Sequence, residues 1–202
     1  MATVTETINI GETTNMHYYD PKDNEYVSLI PKQLYPMHCK KVTTRIVDVK
    51  GKYKAKVYNI VYEVAEECGK MTFLSDQGEA NGQPFVGKKV YGNGIFMFLN
   101  PKAGDTFEAN NGANERYLKF CETIRVKCPE IEVDIDGEKR MVKEFPELTE
   151  VEIIGSPIMG FVDTQEYVKD GETKMSYKVK DFSEWKDGEK KDDLHFNGES
   201  RQ

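Results

Sequence analysis

Residues 37–66, MHCKKVTTRIVDVKGKYKAKVYNIVYEVAE, carry the pattern from which the rest of the chain is read. Val, Thr, Ile and Tyr recur through both halves, and Lys50-Gly51 interrupts them. β-branched and aromatic residues suit a pleated, half-buried surface, and a Gly-containing break between two such runs reads as a hairpin. The pattern predicts two long strands, 37–49 and 52–66, joined by a tight turn at Lys50-Gly51.

Downstream, residues 68–85 contain Gly69, Asp76, Gly78, Asn81, Gly82 and Pro84 and read as a loop. Residues 86–99 (VGKKVYGNGIFMFL) are a third strand, bulged or turned at Gly92-Asn93-Gly94. The period then changes. Residues 111–126 (NGANERYLKFCETIRV) place Ala113, Tyr117, Phe120, Cys121 and Ile124 at helical spacing, with Asn111 or Asn114 as the cap. The stretch EIEVDIDGEKRMV forms a small hairpin over Asp136-Gly137, residues 157–168 are a strand, Asp170-Gly171 is a turn, and residues 173–180 return. Three strands, a helix and two strands, with a small insertion before the fourth, is the order of a five-stranded OB-like barrel. That mainly β, Greek-key fold binds oligonucleotides or oligosaccharides across strands 2 and 3. An α+β sheet packed on one helix is the alternative. Residues 1–35 are poor in apolar side chains and read as an N-terminal arm lying on the domain, anchored by Tyr18, Tyr19, Tyr26 and Leu34. The OB-like domain is then 36–182, and 183–202 is a flexible polar tail.

Composition sets the outer bounds. A chain of 202 residues holds one domain with appendages and a core that needs no disulfide. A net charge of -7 excludes a uniformly basic surface but allows a basic face. No apolar run of 18 residues predicts a membrane span, and MATVTETINIGETTN has neither the basic start nor the apolar core of a secretory signal. A reducing, cytoplasmic setting is expected, with Cys39, Cys68, Cys121 and Cys128 as free thiols.

The charge is unevenly placed. Residues 37–58 hold seven Lys or Arg against one acid, Asp48, and residues 86–102 hold three Lys and no acid. These segments carry +6 and +3, which leaves -16 for everything else. With Lys50-Gly51 as the two central residues of the turn, Arg45 faces Lys56 and Thr43 faces Tyr58. One face then carries Lys41, Thr43, Arg45, Val47, Lys54, Lys56, Tyr58, Ile60 and Tyr62. The other carries Val42, Thr44, Ile46, Asp48, Tyr53, Ala55, Val57, Asn59 and Val61 as the core face. Like charges directly opposite one another destabilise a sheet unless an anion lies between them. A polyanion meets that need, and tyrosines beside the cations offer planes for unpaired bases. The expected site is a single-strand nucleic-acid groove with Lys41, Arg45, Lys54 and Lys56 on phosphates, Tyr58, Tyr62 and Tyr91 stacking, and Lys88 and Lys89 extending the track. The plainer alternative is an exposed face whose edge lysines discourage aggregation.

Other patterns point to less. The four cysteines and His38 lack the short spacing of a structural zinc site, so no metal or other cofactor is expected. Glu130, Glu132, Asp134, Asp136 and Glu138 alternate along a hairpin and read as a solvated face rather than a metal cluster. His17 and His195 are isolated, and no nucleophile motif is present, so no enzyme is expected. Gly92-Asn93-Gly94 is too short to cradle phosphate. Phe96 and Phe98 read as core more readily than as a stacking platform. Trp185 reads as packing the start of the tail onto the barrel.

The basic hairpin around Gly51-Lys52-Tyr53, the NG-containing strand, the helix NERYLKFCETI, the segment Gly155-Ser156-Pro157-Ile158-Met159-Gly160 and the closing KVKDFSEW together resemble the OB-fold single-stranded-DNA-binding proteins of tailed bacteriophages over residues 36–186. The resemblance lies in layout and segment character. It implies non-sequence-specific binding of single-stranded DNA, or RNA, in phage DNA replication and recombination, in the host cytoplasm, without catalysis. It also implies replication proteins as partners, while exposed strand edges suggest a homodimer. Several such proteins end in a strongly acidic tail, whereas residues 183–202 hold six acids and four Lys or Arg, so tail-mediated recruitment is in doubt. The rival reading is a structural or protein-interaction module, such as a virion component or accessory protein, whose basic strands dock an acidic partner.

Overall fold

The structure is a computed structural model that describes residues 28–49, 53–76, 78–99 and 107–191. Along the described chain run β1 (Gln33–Val49), β2 (Tyr53–Val64), β3 (Thr72–Ser75), β4 (Gly78–Asn81), β5 (Lys89–Gly92), β6 (Ile95–Phe98), α1 (Phe107–Thr123), β7 (Glu130–Ile135), β8 (Glu138–Lys143), α2 (Glu150–Ile153), β9 (Pro157–Lys169) and β10 (Glu172–Ser183). The expected arm up to residue 27, with Tyr18, Tyr19, Tyr26 and His17, lies outside the described residues. So do Lys50, Gly51 and Lys52, and the tail from residue 192 with His195.

The frame is a closed five-stranded, OB-like barrel. β1 is long enough to be shared between two neighbours. Its start pairs antiparallel with β9, and from Met37 onward it pairs antiparallel with β2. β9 pairs with β10, β10 runs parallel to β5, and β5 pairs with β2, which completes the ring. β6 continues along β2 beyond β5, so β5 and β6 are two halves of one strand interrupted at Asn93-Gly94. That break falls where the NG signal predicts it. Residues 68–85, expected as loop, also contain the short hairpin β3–β4.

Which side chains point inward is set by a bulge. Between Cys39 and Lys41 the register shifts, leaving Lys40 as an extra residue. An inserted residue reverses the alternation of the strand beyond it. Tyr35, Met37 and Cys39 are buried before the bulge, and Val42 is buried after it. These side chains meet Tyr58, Ile60, Tyr62, Val90, Ile95, Met97, Ile158, Val162 and Val179 in one core. α1 adds Tyr117 and Phe120, whose rings stand 5.5 Å from Tyr58 and 5.3 Å from Phe182. The Tyr117 hydroxyl donates to the Pro146 carbonyl at 2.7 Å and accepts from the Leu148 N–H at 2.9 Å, tethering the segment before α2.

Two expected boundaries move. The domain begins earlier than residue 36: Leu29 and Tyr35 are buried, whereas the proposed anchor Leu34 is 46% exposed. It also ends later. β10 runs to Ser183, and residues 184–191 are held on the barrel rather than forming the start of a free tail. The holding group is Arg125. α1 ends in a Schellman turn, in which the Val126 N–H donates to the Cys121 carbonyl and the Arg125 N–H to the Glu122 carbonyl. The left-handed position that glycine usually fills is taken by Arg125, with φ 62°. Its guanidinium donates to the carbonyls of Trp185, Lys186 and Gly188 at 2.7, 2.8 and 3.1 Å and to Glu184 at 3.1 Å. Farther along, the Lys191 N–H donates to the Gly155 carbonyl, and Gly155 must be glycine because a Cβ there would stand 2.0 Å from the Lys191 carbonyl oxygen. Trp185 packs against His38, which agrees with its reading from sequence, and His38 Nε2 lies 3.0 Å from the Glu189 carbonyl oxygen.

Two outcomes are expected. Arg125→Ala, which keeps the unfavourable φ and loses the charge-assisted bonds, should lower unfolding stability by about 2–3 kcal/mol in urea titrations, and Arg125→Gly by less. Burial pushes the His38 imidazole below its usual 6.5. The unfolded chain therefore takes up this proton first as pH falls through that value, and stability should drop on the acid side of it. That pH dependence should be smaller in His38→Gln, measured by the same titrations.

Candidate functional site

Three residues, not two, connect β1 and β2: Val49 pairs with Tyr53, Ile46 with Lys56 and Thr44 with Tyr58. This differs by one from the expected register, and a one-residue slip exchanges the faces of one strand relative to the other. On β1, Lys41, Thr43 and Arg45 are exposed and Val42 is buried as expected, but Thr44, Ile46 and Asp48, expected in the core, are exposed. β2 is reversed. Tyr58 and Tyr62 are 0% and 1% exposed and belong to the core, so neither ring has a face to offer a base. Asn59 and Val61 share a side of the sheet with Thr43 and Lys41 instead, and Ala55 and Val57, paired with Val47 and Arg45, are buried at 0% and 2% exposed as the core reading expects.

Lys54 and Lys56 leave the expected groove for the same reason. Lys54 is exposed opposite Asp48. Lys56 lies 5.2 Å from the centroid of the Tyr58 ring and donates to Glu147 at 2.5 Å; that bond holds its ammonium above the usual lysine range. Both line up with the inward-facing row, at the hairpin end of the barrel. There Lys56, Tyr58, Val42, Thr44 and residues 147–150 border a cleft of about 390 Å³.

The outward face gains what the sequence assigned to the core. Phe96 pairs with Val57 and Phe98 with Ala55, so both phenylalanines project outward. Phe96 is 38% exposed, Phe98 is half-buried, and their rings lie 6.4 Å apart at 27°. Gly94 keeps the approach to them open, because a Cβ there would stand 2.9 Å from Val57 and 3.4 Å from the Phe96 ring. Across the interruption, Tyr91 is 60% exposed, pairs with Val61, and has Lys178 of β10 5.1 Å from its ring centroid. Lys89 is exposed opposite Glu63, and Lys88 sits just ahead of β5. Along β10 the same face continues through Ser176 and Lys174, which pairs with the exposed Tyr167 of β9.

The result is a track of aromatic rings, Phe98, Phe96, Tyr91 and Tyr167, bordered by Lys41, Arg45, Lys89, Lys178 and Lys174. Among the described residues no carboxylate forms an ion pair with Lys41, Arg45, Lys89 or Lys178. Carboxylates are present at its margin: Glu63 pairs with Lys40 at 3.4 Å, and Asp163 stands opposite Lys178. Lys174 is ion-paired with Glu172 at 3.3 Å, so the face offers ring planes beside four cations, Lys41, Arg45, Lys89 and Lys178, that form no ion pair among the described residues. Of the expected site residues it brings together Lys41, Arg45, Lys89 and Tyr91, and it leaves out Lys54, Lys56, Tyr58 and Tyr62. Sequence reasoning missed Phe96, Phe98, Tyr167, Lys174 and Lys178. The parity of Phe96 and Phe98 with Ala55 and Val57 becomes readable only once the β2 register is known.

Glu130, Glu132 and Asp134 share one exposed side of the β7–β8 hairpin as expected, whereas Asp136 lies in the turn and Glu138 pairs with Ile135 on the other side. Glu130 and Asp134 face Lys143 and Lys139 across the strands, and Lys139 and Lys143 bond Glu132 and Glu122. No described helix is long and apolar enough to cross a membrane. No known protein family, curated protein or solved structure matches this chain.

Core and surface tyrosines should separate in stability measurements. Tyr62→Ala removes a fully buried ring and should cost about 3–5 kcal/mol, whereas Tyr91→Ala should stay within about 0.5 kcal/mol of the parent in chemical denaturation.

Proposed function

We propose that the outward face of β1, β2 and the β5–β6 strand binds single-stranded nucleic acid without regard to sequence. The observation that supports this best is the alternation of exposed rings with unpaired cations on one continuous barrel surface. Every base has a π-face, so stacking on Phe96, Phe98 and Tyr91 is tolerant of sequence. Lys41, Arg45, Lys89 and Lys178 border the rings where phosphates of a strand lying across β2 and β5–β6 would pass, and Lys88 extends that border. Duplex DNA keeps its bases inside the stack and cannot use the rings, so the face selects single strands. The two hairpins, β1–β2 and β9–β10, flank the track in the way the loops of oligonucleotide-binding barrels flank theirs.

The role is the one the phage-protein resemblance implies: covering exposed DNA during replication and recombination. RNA is an alternative ligand, because stacking and phosphate contacts do not distinguish the sugars. Tyr58 and Tyr62 take no part in it, and Lys56 is held in its ion pair with Glu147.

Fluorescence-anisotropy titration with a labelled thymidine oligomer of roughly 15 nucleotides, near the upper site size of one such barrel, tests it across a salt series. Phe96→Ala or Tyr91→Ala should weaken binding roughly five- to a hundredfold with an unchanged salt slope, since stacking is worth about 1–3 kcal/mol per base. Arg45→Glu with Lys178→Glu should weaken binding and flatten the slope by roughly 0.7 for each phosphate that the protein no longer neutralises. Absence of binding at low salt would remove the nucleic-acid reading and leave an acidic protein partner as the explanation of the basic strands.

A further inference from the structure

The row of rings along β5–β6 is broken once. Phe98, Phe96 and Tyr91 lie opposite Ala55, Val57 and Val61 of β2. Ile95 pairs with Tyr58, so Gly94 falls opposite Asn59, and no side chain fills that step of the row. A Cβ on Gly94 would stand 3.5 Å from Asn59 Oδ1, 3.4 Å from the Phe96 ring and 2.9 Å from Val57. The Asn59 amide and the Phe96 ring therefore border the same spot, and the buried Val57 closes its floor. A planar group can lie over the Gly94 backbone there but cannot sink below it. Asn59 is half-buried, and among the described residues nothing hydrogen-bonds its side chain. Every buried side-chain polar atom among the described residues has a partner, so this unbonded amide is open to solvent.

We propose that Gly94, Phe96 and Asn59 form a subsite for one unpaired base, whose Watson–Crick edge is hydrogen-bonded by the Asn59 amide. This subsite rests on the nucleic-acid reading of the face and names the part of the ligand that the face takes up. The base stacks against Phe96 over the Gly94 backbone and turns its edge toward β2. β5 lies between β2 and β10, so the sugar turns to the β10 side, where Lys178 stands beside Tyr91.

A carboxamide carries an acceptor oxygen and a donor nitrogen side by side. Every base presents an adjacent donor and acceptor on its Watson–Crick edge, the edge by which unpaired bases are recognised. Half a turn of the amide exchanges its oxygen and nitrogen, so all four bases fit and the subsite adds no sequence preference. In a duplex the same edge is occupied by the complementary base. Asn59 thus gives the face a chemical ground for choosing single strands, beside the burial of the ring planes in the duplex stack. Thymine isolates the contact. Methylation of its ring N3 removes the donor from the edge and sets a methyl group there, while the ring remains able to stack.

The test is anisotropy titration of the full chain with a thymidine oligomer of roughly 15 nucleotides and with the same oligomer built from N3-methylthymidine. Methylation should weaken binding to the wild-type chain by roughly two- to tenfold, the worth of a lost hydrogen bond. The salt slope should not change, because no phosphate contact is lost. Asn59→Ala should bind the two oligomers equally, at about the affinity of the wild-type chain for the methylated one. Asn59→Val, a better strand former, takes its place should Asn59→Ala not fold. Equal binding of both oligomers by the wild-type chain, or discrimination that persists without the amide, overturns the subsite and leaves the nucleic-acid reading standing. Failure to bind either oligomer removes that reading and the subsite with it.

Discussion

One extra residue in β1 governs the direction of the side chains around it. Before Lys40, Tyr35, Met37 and Cys39 enter the core, and beyond it Val42 does, while Thr44, Ile46 and Asp48 farther along the strand are exposed. The same strand must pair with β9 at its start and with β2 along its remaining length, which is how the barrel closes. Without the bulge, Lys41 and Arg45 would point into a core occupied by Tyr58, Ile60 and Tyr62, and Val42 would face water. Burying unpaired cations costs several kcal/mol each, so the alternation and the bulge are fixed together. A second irregularity at Lys180 in β10 has the same effect on a smaller scale, turning both Val179 and Phe182 inward.

The barrel interior is rich in tyrosine, and the hydroxyls of Tyr35, Tyr58 and Tyr117 are hydrogen-bonded. Tyr35 exchanges hydrogen bonds with the Ile30 backbone, Tyr58 donates to the Leu148 carbonyl, and Tyr117 ties down residues 146–148. No buried side-chain polar atom among the described residues lacks a partner. These bonds do more than offset desolvation, because they draw connecting segments onto the barrel. The proposed interface lies on the other side of the sheet, where Phe96 and Tyr91 are exposed and Lys41, Arg45, Lys89 and Lys178 form no ion pair among the described residues.

Much of the architecture is legible in the sequence. The Val, Thr and Tyr runs, the Asn93-Gly94 interruption, the helical spacing of Tyr117, Phe120 and Cys121, and the Asp136-Gly137 and Asp170-Gly171 turns each correspond to an observed element. The OB-like strand order follows from them. The site is legible only in part. Alternation along β1 puts Lys41 and Arg45 on the correct, outward side, but the length of the Lys50–Lys52 connection cannot be read from a Lys-Gly-Lys sequence that fits a two- or three-residue turn equally well. That single residue sends Tyr58 and Tyr62 into the core and turns Phe96 and Phe98 to the other side of the sheet, where Ala55 and Val57 nevertheless stay buried. The pinning of residues 184–191 is hidden for another reason: a segment of Lys, Asp, Glu and Gly reads as solvated, and its retention depends on a remote guanidinium.

The central claim is that the rings on the outward face, not the tyrosines of β2, meet the ligand. Ultraviolet cross-linking of the protein to a thymidine oligomer, followed by mass-spectrometric mapping of the adducts, tests this directly. Adducts are expected on Tyr91, Phe96 or Phe98, suppressed by high salt and by unlabelled single strand but not by duplex. Adducts confined to Tyr58, Tyr62 or the Lys56 cleft, or spread without preference over the surface, would contradict it.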